Sequence, residues 1–251
     1  MKTPARISLV PIPGLPMVRP GDDLATLLGD AAARAGVALR EGVLVVCQKI
    51  VSKAEGRVVR LADVTPSREA IRLASEDGKD PRHVEVVLRE TARVVRRGPG
   101  VLICETRHGF VCANAGVDLS NAPADETAVL LPIDPDASAA RLREALLVRG
   151  AARLAVVVSD TFGRPWREGL VDVALGCAGL EPIADLRGGS DLVGRRLEVT
   201  ATATADQLAA AAGLLMVKDA GVPAVFVEGV EAFGAGTARA LLRDPARDLF
   251  R

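Results

Sequence analysis

Short apolar runs alternate with polar turns along the chain, and the spacing within each run predicts its secondary structure. Runs rich in valine and isoleucine suit a pleated, half-buried surface. They predict strands at residues 7–12, 42–46, 101–105, 109–113, 129–133, 154–158, 197–204 and 224–227. Apolar positions three or four residues apart predict helices. These cover residues 24–31, 67–74, 81–97, 138–147, 204–217 and 237–242, whereas residues 48–57 and 160–169 are predicted as loops.

The predicted strands and helices mix without a strict β-α-β alternation. This order favours an α/β or α+β fold with two interlocked lobes. The chain has 251 residues, of which 49% are hydrophobic, so it can bury the core of one large or two modest domains. The phosphate-loop patterns GxGxxG and GxxxxGK(S/T) do not occur in the sequence. A simple Rossmann or P-loop fold is therefore not expected.

Charge and composition exclude some classes of partner. Lys+Arg and Asp+Glu both number 32, so the formal net charge is zero and no basic field recommends nucleic acid. Aromatic residues make up only 2% of the chain, so stacking platforms for bases are scarce. No apolar run is long enough to cross a membrane, and the N-terminus lacks a signal-peptide core. Composition therefore predicts a soluble cytoplasmic protein.

The stretch 154–169 carries the clearest candidate chemistry. An apolar run ends at Ser159, Asp160 and Thr161, and Arg164 and Arg167 follow. A carboxylate and a hydroxyl at the end of a buried strand can hold a hard divalent cation beside a phosphate. An ordinary strand exit with solvated polar side chains explains the pattern equally well.

Four further clusters leave similar alternatives open. The amide-rich residues 114–121 fit either a ligand loop with Asp118 as a second carboxylate or a plain Asx turn. Residues 48–57 fit either phosphate neutralisation or a solvated basic loop. Residues 185–195 fit either a binding loop or an exposed connector, and 214–221 fit ordinary helix capping. His83 and His108 are interpreted as surface or structural residues.

Several stretches, taken together and in order, resemble one family, the coenzyme F420-0:L-glutamate ligases, also called F420:γ-glutamyl ligases. The resemblance covers nearly the whole chain and is specific, because unrelated motifs recur together at matching spacing. The matching stretches are PIPGLP (11–16), GDDL (21–24), VVCQKIVSKAEGRVVRL (45–61), NAGVDLSN (114–121), LLPIDPDASA (130–139), VVVSDTFGRPWREGLVDVALG (156–176), DLVGRRLEVT (191–200), ADQLAAAAGLLMVK (205–218) and GVPAVFVEGV (221–230).

The resemblance implies a GTP-dependent ligase that adds L-glutamate to F420-0 and extends the product by γ-linked glutamates. The reaction would pass through an acyl phosphate and release GDP and phosphate. It also implies two divalent ions, Mg²⁺ or Mn²⁺, with a potassium ion left open, and an intertwined, butterfly-like homodimer. One family domain would span residues 1–251, without the C-terminal flavin-reductase-like domain of some bacterial relatives.

The resemblance also implies roles for individual residues. Asp118 and Asp160 would be catalytic metal ligands, Thr161 would touch the second metal, and Met216 would lie nearest to it. Asn121 would contact the nucleotide. The remaining GTP contacts would come from Leu15, Pro16, Met17, Val18, Gln48, Lys49, Lys53, Leu214, Leu215, Met216, Val217, Lys218, Asp219, Ala220 and Gly221.

Two other functions remain open from the sequence. A metal-dependent phosphohydrolase could use Asp118 and Asp160, and would turn over nucleotide without glutamate. A non-catalytic dimeric protein could bind F420 or a nucleotide and leave GTP intact.

Overall fold

A computed structural model describes residues 6–120 and 126–248 of the chain. It is a mixed α/β structure with several sheets. In the described part the strands are β1 (Ser8–Pro11), β2 (Glu41–Cys47), β3 (Val58–Arg60), β4 (Thr91–Gly98), β5 (Val101–Thr106), β6 (Val111–Ala113), β7 (Thr127–Val129), β8 (Arg153–Arg164), β9 (Arg167–Ala178), β10 (Ile183–Asp185), β11 (Ala201–Ala203) and β12 (Ala224–Glu228).

Four of the six α-helices in the described part begin where a polar side chain caps the first turn. Asp23, Ser67, Asp80 and Asp134 each accept a hydrogen bond from a backbone N–H of the helix that follows. The helices are α1 (Leu24–Arg34), α2 (Gln48–Ala54), α3 (Arg68–Asp77), α4 (Pro81–Glu90), α5 (Pro135–Val148) and α6 (Thr204–Gly213). None of these helices is both long and apolar enough to span a membrane.

The largest sheet within the described residues has five strands in the order β1-β12-β2-β8-β9. β2 and β8 run parallel, whereas β12 pairs antiparallel with both β1 and β2, and β9 pairs antiparallel with β8. Alternate side chains of β2 and β8 enter opposite cores, as the period of two requires. Leu44 and Val156 face the core with α1 and α5, whereas Val45 and Val157 face the core with α6. The sheet is therefore covered on both faces.

A smaller lobe is inserted between α2 and α5. Its sheet has the order β4-β5-β6, and helices α3 and α4 cover it. Val84, Val87, Leu102 and Cys104 contribute to a core separate from those of the central sheet. The antiparallel pair β3 and β7 lies at the start and end of this insertion. The prediction of a mixed fold that is neither Rossmann nor P-loop is confirmed.

Most predicted strands and helices are present, but three predicted segments are wrong. Residues 48–57 were expected as a loop, yet 48–54 form α2, because Ile50, Val51 and Ala54 repeat at helical spacing and pack into the core. The predicted helix 81–97 ends at Glu90. The segment after it becomes β4, because its β-branched residues pair with β5.

The third wrong segment is 160–169, which was expected as a loop. β8 instead continues to Arg164, and β9 begins at Arg167, so the two strands form one long hairpin. Gly163 and Pro165 do not interrupt it earlier, since Pro165 lies in the turn and Trp166 there has a φ of 56°. Several predicted segments are longer than the observed ones. Residues 197–204 reduce to β11, 204–217 to α6, and 237–242 to a 3₁₀ turn. The predicted strand 129–133 is displaced, since β7 spans Thr127–Val129 and shares only Val129 with it.

Candidate functional site

A cleft opens at the point in the central sheet where β2 ends and its parallel pairing with β8 stops, although β8 itself continues to Arg164. Cys47 pairs with Ser159 across these strands, so the residues that follow each of them emerge side by side. The cleft has a volume of about 270 Å³. It is lined by Leu15, Pro16, Met17, Val18, Cys47, Lys49, Ile50, Lys53, Ser159, Asp160, Thr161, Asp172, Met216, Val217, Lys218, Gly221, Val222 and Pro223.

Asp160 is the most perturbed acid of this cleft. Burial, with a smaller contribution from the negative charges of Asp118 and Asp172, raises the pKa of its carboxyl to about 7. The backbone N–H of Thr161 and the charge of Lys49 act in the opposite direction. Among the described residues no cationic group forms a salt bridge with Asp160. A buried carboxylate without a paired cation is costly, so this position favours a bound cation.

Asp172 lies directly across the hairpin from Thr161, and the Thr161 hydroxyl donates a hydrogen bond of 2.7 Å to its Oδ1. Burial raises the pKa of Asp172 as well. The sequence analysis missed this residue, because it assigned residues 160–169 to a loop and therefore did not place Asp172 opposite Thr161. The long hairpin thus brings a second carboxylate beside Asp160.

Asp118 belongs to the small lobe, where its backbone pairs with Val129 of β7. Its side chain is held by an ion pair and by hydrogen bonds. Its Oδ2 forms a 2.7 Å ion pair with Lys49 Nζ, and its Oδ1 accepts a hydrogen bond of 2.7 Å from the Ser120 N–H. Burial favours the neutral acid, but the contacts with Lys49 and Ser120 outweigh it and lower the pKa of Asp118. Asp118 is therefore an ionised carboxylate.

The backbone before Asp118 is unusual. Asn114, Ala115 and Gly116 have consecutive φ values of 50°, 51° and 72°. A Cβ on Gly116 would lie 2.6 Å from the Leu131 side chain, so only glycine fits there. Non-glycine residues in the left-handed region cost free energy and persist where the surrounding structure fixes them. This segment sets the position of Asp118.

Two lysines of α2, Lys49 and Lys53, line the cleft together with the hairpin acids. Lys53 is 5% exposed, and burial together with the charge of Lys49 lowers its pKa. Beneath them Gln48 is fully buried, and its Oε1 accepts a hydrogen bond of 2.8 Å from Ser52. Gln48 Nε2 and Ser159 Oγ have no partner among the described residues. Unsatisfied buried polar atoms are typical of sites that exchange ligands.

The structure brings most of the sequence-predicted site residues together. The segment 15–18 and Lys49, Lys53, Asp160 and Thr161 all line the cleft. From the segment 214–221, the lining residues are Met216, Val217, Lys218 and Gly221. The exposed Leu214, together with Leu215, Asp219, Ala220, Asp118 and Gln48, does not line the cleft. Asn121 lies outside the described residues.

The residues present fit a hard divalent cation. Within the described ranges, no three His, Cys, Asp or Glu side chains converge closely enough to form a metal cage. Mg²⁺ does not require one, because it keeps several waters and binds through one or two carboxylates plus substrate phosphates. Asp160 and Asp172 supply such carboxylates, and Thr161 supplies a hydroxyl. Met216 would suit this ion only through its backbone oxygen, because its thioether sulfur is a soft ligand.

A cleft lined by two acids, two lysines of α2 and apolar loop residues has the chemistry of a site for an anionic ligand held together with a cation. The chain belongs to the F420-0:gamma-glutamyl ligase family, whose model matches residues 14–229. The family identified from the sequence motifs is therefore confirmed.

Close relatives share nearly the full length of the chain. It is 47% identical to the coenzyme F420:L-glutamate ligase of Methanothermobacter thermautotrophicus, with 98% of this chain and 99% of the relative aligned. Proteins of the same name from Methanopyrus kandleri and Archaeoglobus fulgidus are 48% and 41% identical, each over 98% of this chain. The alignments cover 98% and 97% of these two relatives.

Proposed function

We propose that this protein is a coenzyme F420-0:L-glutamate ligase that uses GTP to form an amide bond and then adds further γ-linked glutamates. The observation that carries this proposal is the cleft where the pairing of β2 with β8 stops, because Asp160 and Asp172 line it together with the lysines of α2. Family membership and relatives that share nearly the whole chain support the same activity.

GTP is proposed to bind in this cleft. Lys49 and Lys53 supply positive charge for its phosphates, and lysine serves as a point charge on phosphate. Leu15 to Val18 form one apolar wall, and residues 216–221 form another. A triphosphate would also favour the charged form of Lys53, whose pKa is lowered by burial and by Lys49.

The proposed reaction has two steps. In the first step, a carboxylate oxygen of the acceptor attacks the γ-phosphorus of GTP, which forms an acyl phosphate and releases GDP. In the second step, the amine of L-glutamate attacks the acyl carbon, which forms the amide and releases phosphate and a proton. The protein's contribution is to hold the anionic groups close together and to exclude water.

Divalent ions, Mg²⁺ or Mn²⁺, are proposed to be held by Asp160 and Asp118, with Thr161 and the backbone of Met216 near a second ion. Asp172 is added to this set because it is hydrogen-bonded to Thr161. When bound, such ions would offset the charge that develops on the transferring phosphoryl group. To bind such an ion, Asp118 would give up its 2.7 Å ion pair with Lys49.

A homodimer is proposed from the exposed surface. β10 and β11 form an arm, residues 183–203, whose two strands are prolonged by hydrogen bonds such as Leu186 N–H to Thr200 O. Leu192 and Val199 on this arm are more than 80% exposed. A two-stranded ribbon is marginally stable alone in water, and exposed apolar side chains of this kind mark an interaction surface. A second copy of the chain would cover the arm.

The test is incubation of the protein with F420-0, GTP, L-glutamate and Mg²⁺ or Mn²⁺, followed by mass spectrometry. The proposal predicts F420 species with one or more added glutamates and one GDP formed for each amide. GTP hydrolysis that is independent of glutamate would favour the phosphohydrolase. Bound but intact GTP would favour the non-catalytic binding protein.

A further inference from the structure

Two basic side chains of the small lobe lie near Asp118 but do not line the GTP cleft. Lys79 Nζ approaches Asn114 Oδ1 at 3.5 Å, within the left-handed segment that precedes Asp118. His83 lies on α4, which packs against that same segment, and the charge of Asp118 reaches its imidazole. Lys79 and His83 therefore lie near Asp118 within the small lobe.

The backbone holds both residues in fixed places. Gly78 ends α3 in the left-handed conformation, and the Lys79 N–H donates a 3.0 Å hydrogen bond back to Ala74 O. Asp80 then caps α4, so His83 falls in the first turn of a ten-residue helix. The N-terminal turn of a helix carries partial positive charge and favours anions. Lys79 and His83 thus flank the start of α4, with the Asp80 carboxylate, paired with Arg82, between them.

The imidazole of His83 is buried, yet its Nε2 lacks a hydrogen-bond partner among the described residues. The residue as a whole is 9% exposed. Lys79 is half-buried and forms no salt bridge within the same part of the chain. A buried ring nitrogen without a partner costs free energy unless a ligand satisfies it. Each of the two groups can donate a hydrogen bond to an anion.

We propose that Lys79 and His83 bind a carboxylate of the incoming L-glutamate, an inference that rests on the proposed ligase function. L-Glutamate carries two carboxylates, and they must be held away from the GTP phosphates because like charges repel. Lys49 and Lys53 already face the phosphates, whereas Lys79 and His83 lie beside Asp118 and outside the cleft. This arrangement leaves the amine free to reach the acyl carbon.

The experiment measures steady-state kinetics of the Lys79→Met and His83→Leu variants with each substrate varied in turn. Loss of a charge-assisted hydrogen bond should raise KM for L-glutamate by roughly ten- to a hundredfold. KM for GTP and for F420-0 should stay within about twofold, because those ligands do not contact the pair. Arg68→Met, which removes an exposed cation from α3, is the matched control and should change none of these values.

Stability separates a binding role from a structural one. His83→Leu removes an unsatisfied buried nitrogen, so thermal unfolding should occur at the same or a higher temperature while glutamate binding weakens. Lys79→Arg should restore most of the affinity for L-glutamate, because it keeps the charge. An unchanged KM for L-glutamate, or a rise confined to GTP or F420-0, would overturn the assignment.

Failure of the underlying function gives a different result. If the wild-type protein forms no glutamylated product, the ligase proposal fails. Direct L-glutamate binding by saturation-transfer NMR then tests the subsite alone. Binding that Lys79→Met abolishes and Arg68→Met preserves would support the subsite, whereas no binding to wild-type protein would overturn it.

Discussion

At the scale of residues, the site is an arrangement of uneven charges. Asp118 is ionised through its contacts with Lys49 and Ser120, whereas burial raises the pKa of Asp160 to about 7. The pKa values of these two acids are thus shifted in opposite directions. Asp160 has no described salt-bridge partner, so a bound metal would change its state more than that of Asp118.

We expect Asp160→Asn to keep the fold and nearly abolish ligation. The substitution is close to isosteric and removes a carboxylate that burial disfavours, so packing at the end of β8 should survive. An amide oxygen is a weaker ligand for a hard cation, and the lost transition-state stabilisation is worth several kcal/mol, or a hundredfold or more in kcat.

Turnover at saturating Mn²⁺, with circular dichroism alongside, checks this expectation. Asp63→Asn, an exposed acid of the small lobe, serves as the control. A folded Asp160→Asn protein that retains most of the wild-type rate at saturating metal would show that Asp160 is not the ligand proposed.

We expect Lys53→Ala to raise the apparent KM for GTP by roughly ten- to a hundredfold, from the ~1.5–3 kcal/mol of a charged hydrogen bond. The KM for L-glutamate should change far less, because Lys53 lines the nucleotide cleft. Initial rates at varied GTP measure the effect. Lys53→Met separates charge from packing: it keeps the bulk of this 5% exposed residue, so an equal rise in KM assigns the effect to charge. Equal KM values for GTP in all three proteins would contradict the placement.

The sequence predicted part of this residue-level picture. Lys49, Lys53, Asp160 and Thr161 line the cleft, as the family motifs implied. Asp172 was missed because its role depends on which residue faces it across the hairpin, and strand register is not visible in a single sequence. The unpartnered nitrogen of His83 was missed for a similar reason: burial is a property of the packed lobe.

At the scale of elements, the site results from where the pairing of two parallel strands stops. β2 ends at Cys47, opposite Ser159 of β8, so the start of α2 lies beside Asp160. The sequence predicted both strands but treated the segments after them as loops. Local propensity could not show that α2 would pack into the core or that β8 and β9 would stabilise each other by pairing.

We expect Gly176→Ala to destabilise the fold by about 1–3 kcal/mol, the usual cost of overpacking. β9 passes so close to the start of α5 that a Cβ on Gly176 would lie 2.2 Å from the backbone of Pro135. Either the helix or the strand must move. Gly163→Ala, in the same hairpin, is the matched control, because its Cβ would lie 3.9 Å from Leu170 and cause no clash.

Urea unfolding midpoints of the two glycine variants and the wild-type protein give the comparison. The contact between β9 and α5 matters to the site, since β9 carries Asp172. Similar midpoints for Gly176→Ala and Gly163→Ala would mean that this contact tolerates a methyl group.

At the scale of the whole molecule, the two lobes meet at the site, and the chain also has two exposed two-stranded ribbons. The central sheet supplies Asp160, α2 supplies Lys49 and Lys53, and the small lobe supplies Asp118, Lys79 and His83. The β8–β9 tip and the arm of residues 183–203 are exposed along most of their length. The mixed fold could be predicted from the sequence. For residues 185–195 an exposed connector was one of two alternatives, and the sequence could not decide between them because exposure depends on how the rest of the chain packs.

We expect the protein to form a dimer through the arm, with a mass near twice the 26.1 kDa of one chain. Leu192→Ser combined with Val193→Ser should weaken it, because both side chains are at least 75% exposed in the single chain and would be buried by a second copy. Loss of a buried apolar contact at such a surface often costs over 1 kcal/mol, so two losses should raise the dissociation constant roughly a hundredfold or more.

Light scattering across a dilution series measures this constant. Ile71→Ser combined with Val148→Ser is the matched control, since those apolar side chains are 50% and 90% exposed but lie on α3 and α5, away from the arm. The control should remain dimeric at concentrations where the arm variant is monomeric. A wild-type protein at the monomer mass throughout, or equal weakening in both double variants, would remove the arm as the dimer contact, because the effect would then not depend on where the apolar surface lies.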